Sequence, residues 1–216
     1  MATSARRLVA PEPPADLATV ALPLAVTATP WFRLTPRTYP SPLYWSRSGR
    51  YRFDSPTAKW GVCYAAESIP AAFQEVWGDE IRRARRLDWD DLEPMNAWRI
   101  TVAPSLRTIE LAGETLAVVK GTLQSFVGSY AKSQRWGQAF MNHPDDLDGL
   151  QYLGRRCGRT CLALFGDETN PKPHQAALRC EKLGALANWK NLWPLLDQIQ
   201  LRIAHLPAVP PPGEWS

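Results

Sequence analysis

No run of about 18 or more apolar residues occurs in the chain, so no membrane-spanning helix is predicted. Histidine is scarce, with three in 216 residues. His143, His174 and His205 fall in polar loops and in the tail, where surface positions are expected, and so small a set disfavours both a histidine-built metal centre and a histidine-based triad. Four cysteines, Cys63, Cys157, Cys161 and Cys180, are too few and too unevenly spaced for a disulfide scaffold. The Cys157-x-x-x-Cys161 pair has neither zinc-finger spacing nor an accompanying His-x-x-x-His, so no metal is expected. Reduced thiols and a cytoplasmic setting follow. Also missing are Gly-x-Gly-x-x-Gly, a Walker loop, His-Glu-x-x-His and a Gly-x-Ser-x-Gly elbow, which removes the commonest dinucleotide, nucleotide triphosphate, zinc-protease and serine-hydrolase readings.

Lysine is the scarce cation, six against 19 arginines. Arginine binds phosphates and carboxylates in bidentate fashion, so the bias suits phosphate chemistry, and GC-rich codon use would produce it equally. The net charge is only +4 and the pI about 9.0. A nucleic-acid patch at Arg82-Arg83-Ala84-Arg85-Arg86 is weakened by Asp88, Asp90 and Asp91, which follow at once. Those arginines suit the C-terminal end of a helix, where cations complement the dipole.

What is present describes one soluble domain with additions at both ends. Hydrophobic residues make up 45% and charged residues 21%, ordinary values for a globular chain. Ten tryptophans offer large burial areas whose ring nitrogens need partners, so many belong at the core edge or in a cleft. Residues 1–29, rich in Ala, Pro and Thr, read as a flexible arm packing onto the domain or a partner. Glu12, Asp16, Pro23 and the free cysteines argue against a signal peptide there. The domain proper is expected over 30–206, with a proline-rich tail at 207–216.

Within the domain, Trp31–Leu34 reads as a strand with Arg33 on the face opposite Phe32 and Leu34. Prolines 36, 40 and 42 impose a long loop. Gly61–Ala65 is a strand, followed by a helix capped by Ser68 with Pro70 in its first turn. Ile69, Phe73, Val76, Trp77 and Ile81 form its core stripe, with Glu75 nearly opposite, as solvated surface or cleft wall. Trp98, Ile100 and Val102 alternate as a strand. Leu106–Leu111 and Leu116–Val119 read as extended pieces, Gln124–Phe140 and Leu183–Ile203 as helices, the latter with room for a final strand. Five continuous apolar residues, Cys161–Phe165, predict a central strand covered on both faces.

The stretch from Gly49 to Glu75 concentrates the chemistry. An arginine-bearing loop, a strand with Tyr64 and a helix with Glu75 bring a cation, a ring and a carboxylate together within thirty residues, which suits an anionic ligand containing a ring.

Trp31-Phe32-Arg33-Leu34, Gly49-Arg50-Tyr51-Arg52-Phe53, Gly61-Val62-Cys63-Tyr64-Ala65-Ala66, Ala71-Ala72-Phe73-Gln74-Glu75 and Gly149-Leu150-Gln151-Tyr152-Leu153-Gly154-Arg155, followed by Cys161–Phe165, resemble the RES-domain family in order and spacing over about residues 30–200. The resemblance implies a single mixed α/β domain with a central mixed sheet and flanking helices, similar to ADP-ribosyltransferase toxins. It implies a cytoplasmic bacterial toxin acting on NAD as glycohydrolase, phosphorylase or ADP-ribosyltransferase. An Xre-like antitoxin partner is also implied, with nucleic acid reached only through that partner and a homodimer left open. Water, inorganic phosphate or a protein would be the acceptor. By matching position, Glu75 and Arg50 would be catalytic. Arg33, Arg50, Tyr64, Tyr152 and Gly154 would contact NAD. Where the family carries a serine this chain has Gly154, with Ser129, Ser133 or a water as substitutes. That departure leaves open a catalytically weakened nucleotide-binding or regulatory module.

Overall fold

Cys161–Phe165 does form the central strand of the molecule in the computed structural model, which describes residues 10–27, 30–102, 106–206 and 215. The strands are β1 (Leu24–Ala25), β2 (Trp31–Pro36), β3 (Gly61–Ala66), β4 (Arg86–Asp88), β5 (Met95–Thr101), β6 (Thr108–Glu110), β7 (Gly149–Leu153), β8 (Thr160–Gly166), β9 (Arg179–Ala185) and β10 (Arg202–Ala204). The α-helices are α1 (Ile69–Ala84), α2 (Trp89–Leu92), α3 (Gly113–Val118), α4 (Leu123–Val127), α5 (Tyr130–Met141), α6 (Pro173–Ala177) and α7 (Leu192–Gln198). Eight strands build one mixed sheet in the order β1-β6-β7-β8-β3-β2-β5-β9. Only β6 and β7 run parallel in it, and β10 pairs with β4 in a separate parallel ribbon.

Alternation along the strands divides the core in two. Val62, Ala66, Leu150, Tyr152, Ala163 and Phe165 point to the face that α1 covers with Phe73 and Trp77. Trp31, Cys63, Ala65, Ile100, Leu162 and Leu164 point to the other, under Trp45. A strand buried on both faces has no polar side to spare, which is why β8 is apolar without a break.

Helix α1 starts where expected, with the Ser68 hydroxyl accepting from the Ala71 amide at 3.3 Å. It stops at Arg85, in the left-handed region at φ 51°. Val76 departs from the expected stripe and is 45% exposed, whereas Ala71 on the far side is buried. The reason is a second cover. The loop after β7 lies on the face opposite the sheet, so close that a Cβ on Gly78 would meet the Arg156 side chain at 2.5 Å. Glu75 therefore stands in a wall between helix and loop rather than on solvated surface.

Three elements differ from the periodicity reading. Leu116–Val119 is not extended; most of it belongs to helix α3, where a spacing of three brings Leu116 and the buried Val119 to one side. The helix over 124–140 is split at Gly128–Ser129 into α4 and α5. Leu183–Ile203 is not one helix. Its start completes β9, recruited by antiparallel pairing with β5, and a short α7 and β10 follow. Tertiary pairing overrides local helical spacing there.

Two of the histidines expected at the surface are buried. His143 Nε2 is 3.0 Å from the Leu17 carbonyl, and its Nδ1 accepts from the Asp145 amide at 3.1 Å. His174 Nδ1 is 2.8 Å from Asp148 Oδ1. Both ring nitrogens of His143 thus have polar partners, which offsets the cost of burial, whereas neither ring nitrogen of His174 has a hydrogen-bond partner among the described residues. His143 also helps to dock residues 10–27 on the domain, together with the Arg135–Glu12 ion pair and β1 pairing with β6. Of the arm read over 1–29, that described portion lies against the domain. Residues 207–214 of the expected tail lie outside the described residues, while Trp215 rests 6.1 Å from the Trp189 ring centre. No helix among the described residues is long and apolar enough to cross a membrane.

Candidate active site

The loop that covers α1 also seats its carboxylate. Glu75 Oε1 accepts from the backbone amides of Arg156 at 3.1 Å and Cys157 at 3.3 Å. Arg156 secures the same contact by donating from its guanidinium to the Glu75 carbonyl and pairing with Asp79. Two fixed amide dipoles hold the carboxylate in one orientation before any ligand arrives. Gly154 sits against it: a Cβ there would lie 2.7 Å from Glu75 Oε1. The position occupied by serine in the resemblance is therefore directly beside the glutamate.

Cys157 and Cys161 close this corner, with their sulfurs 3.9 Å apart. A hydrogen bond between the two thiols holds Cys157 below the ordinary thiol pKa and pushes Cys161 above it, an effect that burial of Cys161 adds to.

Beyond Cys161 the wall continues across the sheet. Tyr152 pairs with Cys161 and Tyr64 with Ala163, so both rings emerge on the face of α1. The Arg52 guanidinium stacks over Tyr152, 5.3 Å from its centre, and Phe53 meets the same ring edge-on at 5.0 Å. Arg52 is buried, it donates to the Leu153 carbonyl at 3.4 Å, and no carboxylate among the described residues stands within 4.0 Å of it. An enclosed cation without a counter-ion is costly unless an anion completes it. The loop carrying Arg52 is pinned to α5, where Gln134 Nε2 donates to the Gly49 and Tyr51 carbonyls at 2.7 and 2.9 Å.

Tyr64 is locked rather than mobile. Its hydroxyl donates to Asp54 Oδ1 and accepts from the Phe53 amide, both at 3.0 Å. Burial pushes the Tyr64 and Tyr152 phenols well above their ordinary value of 10.0, with nearby Asp54 adding to the first and Cys161 and Glu75 to the second. The folded chain thus favours both neutral phenols. Their contribution to stability is complete below about pH 10, where the unfolded chain keeps its phenolic protons, and declines as pH rises through and beyond that point. In an alkaline titration, phenolate absorbance from these two residues, assigned with Tyr64→Phe and Tyr152→Phe, is expected to rise only with loss of circular dichroism. Phenolate formation at pH 10 in the intact fold contradicts this assignment.

Of the residues singled out in the sequence, the fold gathers Glu75, Tyr64, Tyr152 and Gly154 on one wall. It does not bring Arg33 to them. Arg33 shares the face of Trp31, beneath the sheet, and donates to Cys63 Sγ and, at 3.3 Å, to the Tyr44 carbonyl. Arg50 is exposed, its backbone amide bonded to the Ser48 hydroxyl. The arginine at the wall is Arg52, two residues on. The signal for it lay in Phe53-Asp54 after it, an apolar anchor and a polar partner, whereas Arg50 follows a glycine in a turn. The Arg156 and Cys157 amides carried no signal, since any residue supplies one. Ser133 is no substitute for the missing hydroxyl, being committed to the Ser129 and Tyr130 carbonyls of its own helix.

Next to this wall a groove of about 480 Å³ runs along α1, lined by Arg82, Arg85, Arg155 and Arg156 with Gln74 and Asp79. Helix carboxylate, buried arginine, strand tyrosines and arginine-lined groove are all carried by one mixed α/β domain. Residues 22–182 match the family model described as RES domain, and the chain belongs to that family. Its fold is similar to that of a chain in the crystal structure of the M. tuberculosis MbcT–MbcA toxin–antitoxin complex. The match has a TM-score of 0.56 at 16% identity and covers 82% of this chain and 91% of the other. No curated protein sequence matches the chain.

Proposed function

We propose that the protein cleaves the nicotinamide–ribose bond of NAD and serves as the toxin of a toxin–antitoxin pair, restrained by an Xre-like antitoxin in the cytoplasm. Glu75 carries this reading: a carboxylate pre-oriented by two amides, on the wall where a buried arginine, Arg52, stacks on Tyr152 with no carboxylate within 4.0 Å among the described residues. Breaking the bond builds positive charge on the ribose as nicotinamide departs, and a fixed carboxylate stabilises that charge or holds a ribose hydroxyl. The pyrophosphate of NAD is dianionic and suits Arg52 and the arginines of the α1 groove. Water as acceptor yields ADP-ribose and a proton, phosphate yields the 1-phosphate, and a protein nucleophile yields the modified protein. Family membership and a structural neighbour drawn from a toxin–antitoxin complex support the assignment.

Incubating the purified protein with NAD, with and without phosphate or protein acceptors, is expected to release nicotinamide. Absence of turnover under all three conditions rejects the reading. Gly154 favours a second one, a nucleotide-binding module with weakened catalysis, because the family hydroxyl beside Glu75 is missing. It predicts calorimetric binding of NAD without product.

A further inference from the structure

Two thiols from the covering loop and β8 meet the α1 carboxylate, and NAD cleavage uses only the carboxylate. Donor atoms of Glu75, Cys157 and Cys161 lie within 4.8 Å of one another. The sulfurs stand 3.9 Å apart, close to the separation of about 3.8 Å that two thiolates adopt on one tetrahedral zinc with bonds of about 2.3 Å. A disulfide would need them at about 2.05 Å. The point where Gly154 would carry a Cβ lies 2.5 Å from Cys157 Sγ, 2.7 Å from Glu75 Oε1 and 2.8 Å from Cys161 Sγ. The three donors thus converge against the Cα of Gly154, where the side chain of any other residue would collide with them.

We propose that Glu75, Cys157 and Cys161 form a binding site for a thiophilic divalent cation, zinc, with three protein ligands and one open position. Two thiolates select zinc over magnesium, calcium and manganese. The Arg156 and Cys157 amides orient the glutamate from behind, as outer partners of metal ligands do. Arg52, over the Tyr152 ring that neighbours Cys161, offsets part of the negative charge of the ligand set. Cys157 is half-buried and gives the entry side, while Cys161 and Gly154 are buried. Binding releases the two thiol protons to solvent. The site explains what glycine at 154 permits, and it goes beyond the NAD reading: zinc bound there occupies Glu75 and blocks chemistry that depends on that carboxylate. The spacing of the cysteines did not announce it, because the third ligand lies some eighty residues earlier in the chain.

The full-length reduced protein, titrated with zinc against a chromophoric chelator in the absence of NAD, is expected to take up one equivalent per chain. Cobalt should show the thiolate charge-transfer band and tetrahedral ligand-field absorption. Cys157→Ser, at a half-buried position where folding is not threatened, is expected to weaken zinc binding on the order of 100-fold. Gly154→Ala should weaken it comparably, while Cys180→Ser, remote from the cluster, leaves it unchanged. No zinc retained against the chelator, or one equivalent still held by both Cys157→Ser and Gly154→Ala, overturns the proposal. Because the readout is metal uptake, its failure is separate from failure of NAD turnover.

Discussion

Replacing Glu75 by glutamine is expected to lower kcat/KM for nicotinamide release by about 10³-fold while the fold persists. Glutamine matches the shape of glutamate, and its carbonyl oxygen can still accept from the Arg156 and Cys157 amides that hold Oε1. The covering loop therefore stays on α1. What disappears is the negative charge that, in the proposed reaction, faces the developing positive charge on the ribose. Most of the loss should fall on kcat, since that interaction strengthens only as the bond breaks. The check is steady-state nicotinamide release together with the thermal midpoint. A variant with normal turnover removes Glu75 from the chemistry. One that unfolds shows instead that the charge is needed to keep the loop in place.

Arg52→Ala is expected to produce the second large effect, a loss in kcat/KM of about 100-fold carried mainly by KM. That is the scale of about one charge-assisted hydrogen bond to a phosphate. Arg50→Ala, at an exposed turn, should change kcat/KM by no more than about 3-fold. Arg33→Ala should leave turnover similarly intact and lower the melting temperature, because its guanidinium serves Cys63 and the Tyr44 carbonyl beneath the sheet. The three variants together discriminate sharply. Equal losses in all three would point to general electrostatic attraction. A loss confined to Arg33→Ala would place the anion on the other face of the sheet.

The contrast among these arginines shows how far the chain could be read in advance. Period-two alternation put Arg33 opposite Phe32 and Leu34, as observed, yet placement on a face does not reveal which face carries the ligand. The loop at 49–53 was recognisable from its glycine and its paired arginines. Choosing between Arg50 and Arg52 required the Gln134 bonds that pin the loop and the Tyr152 ring that receives the guanidinium, and both come from segments about a hundred residues away. The same holds for Glu75. The helical wheel placed it opposite the core stripe, and only the loop of Gly154–Cys157 turns that exposed position into a wall.

Where local information was complete, the chain specified its own structure. The apolar run Cys161–Phe165 of β8 and the Ser68 cap and Pro70 at the start of α1 rest on residues adjacent in sequence or one helical turn apart. The helix read over 183–203 failed where β5 offered β9 a full ladder of hydrogen bonds, a gain that no window of the sequence contains. Tertiary structure alone decided which arginine stands at the wall, that two amides seat Glu75, and that Cys157 and Cys161 converge on it beside Gly154. These are contacts across long loops. They depend on how sheet, helix and cover are stacked, and residue spacing along the chain does not encode that stacking.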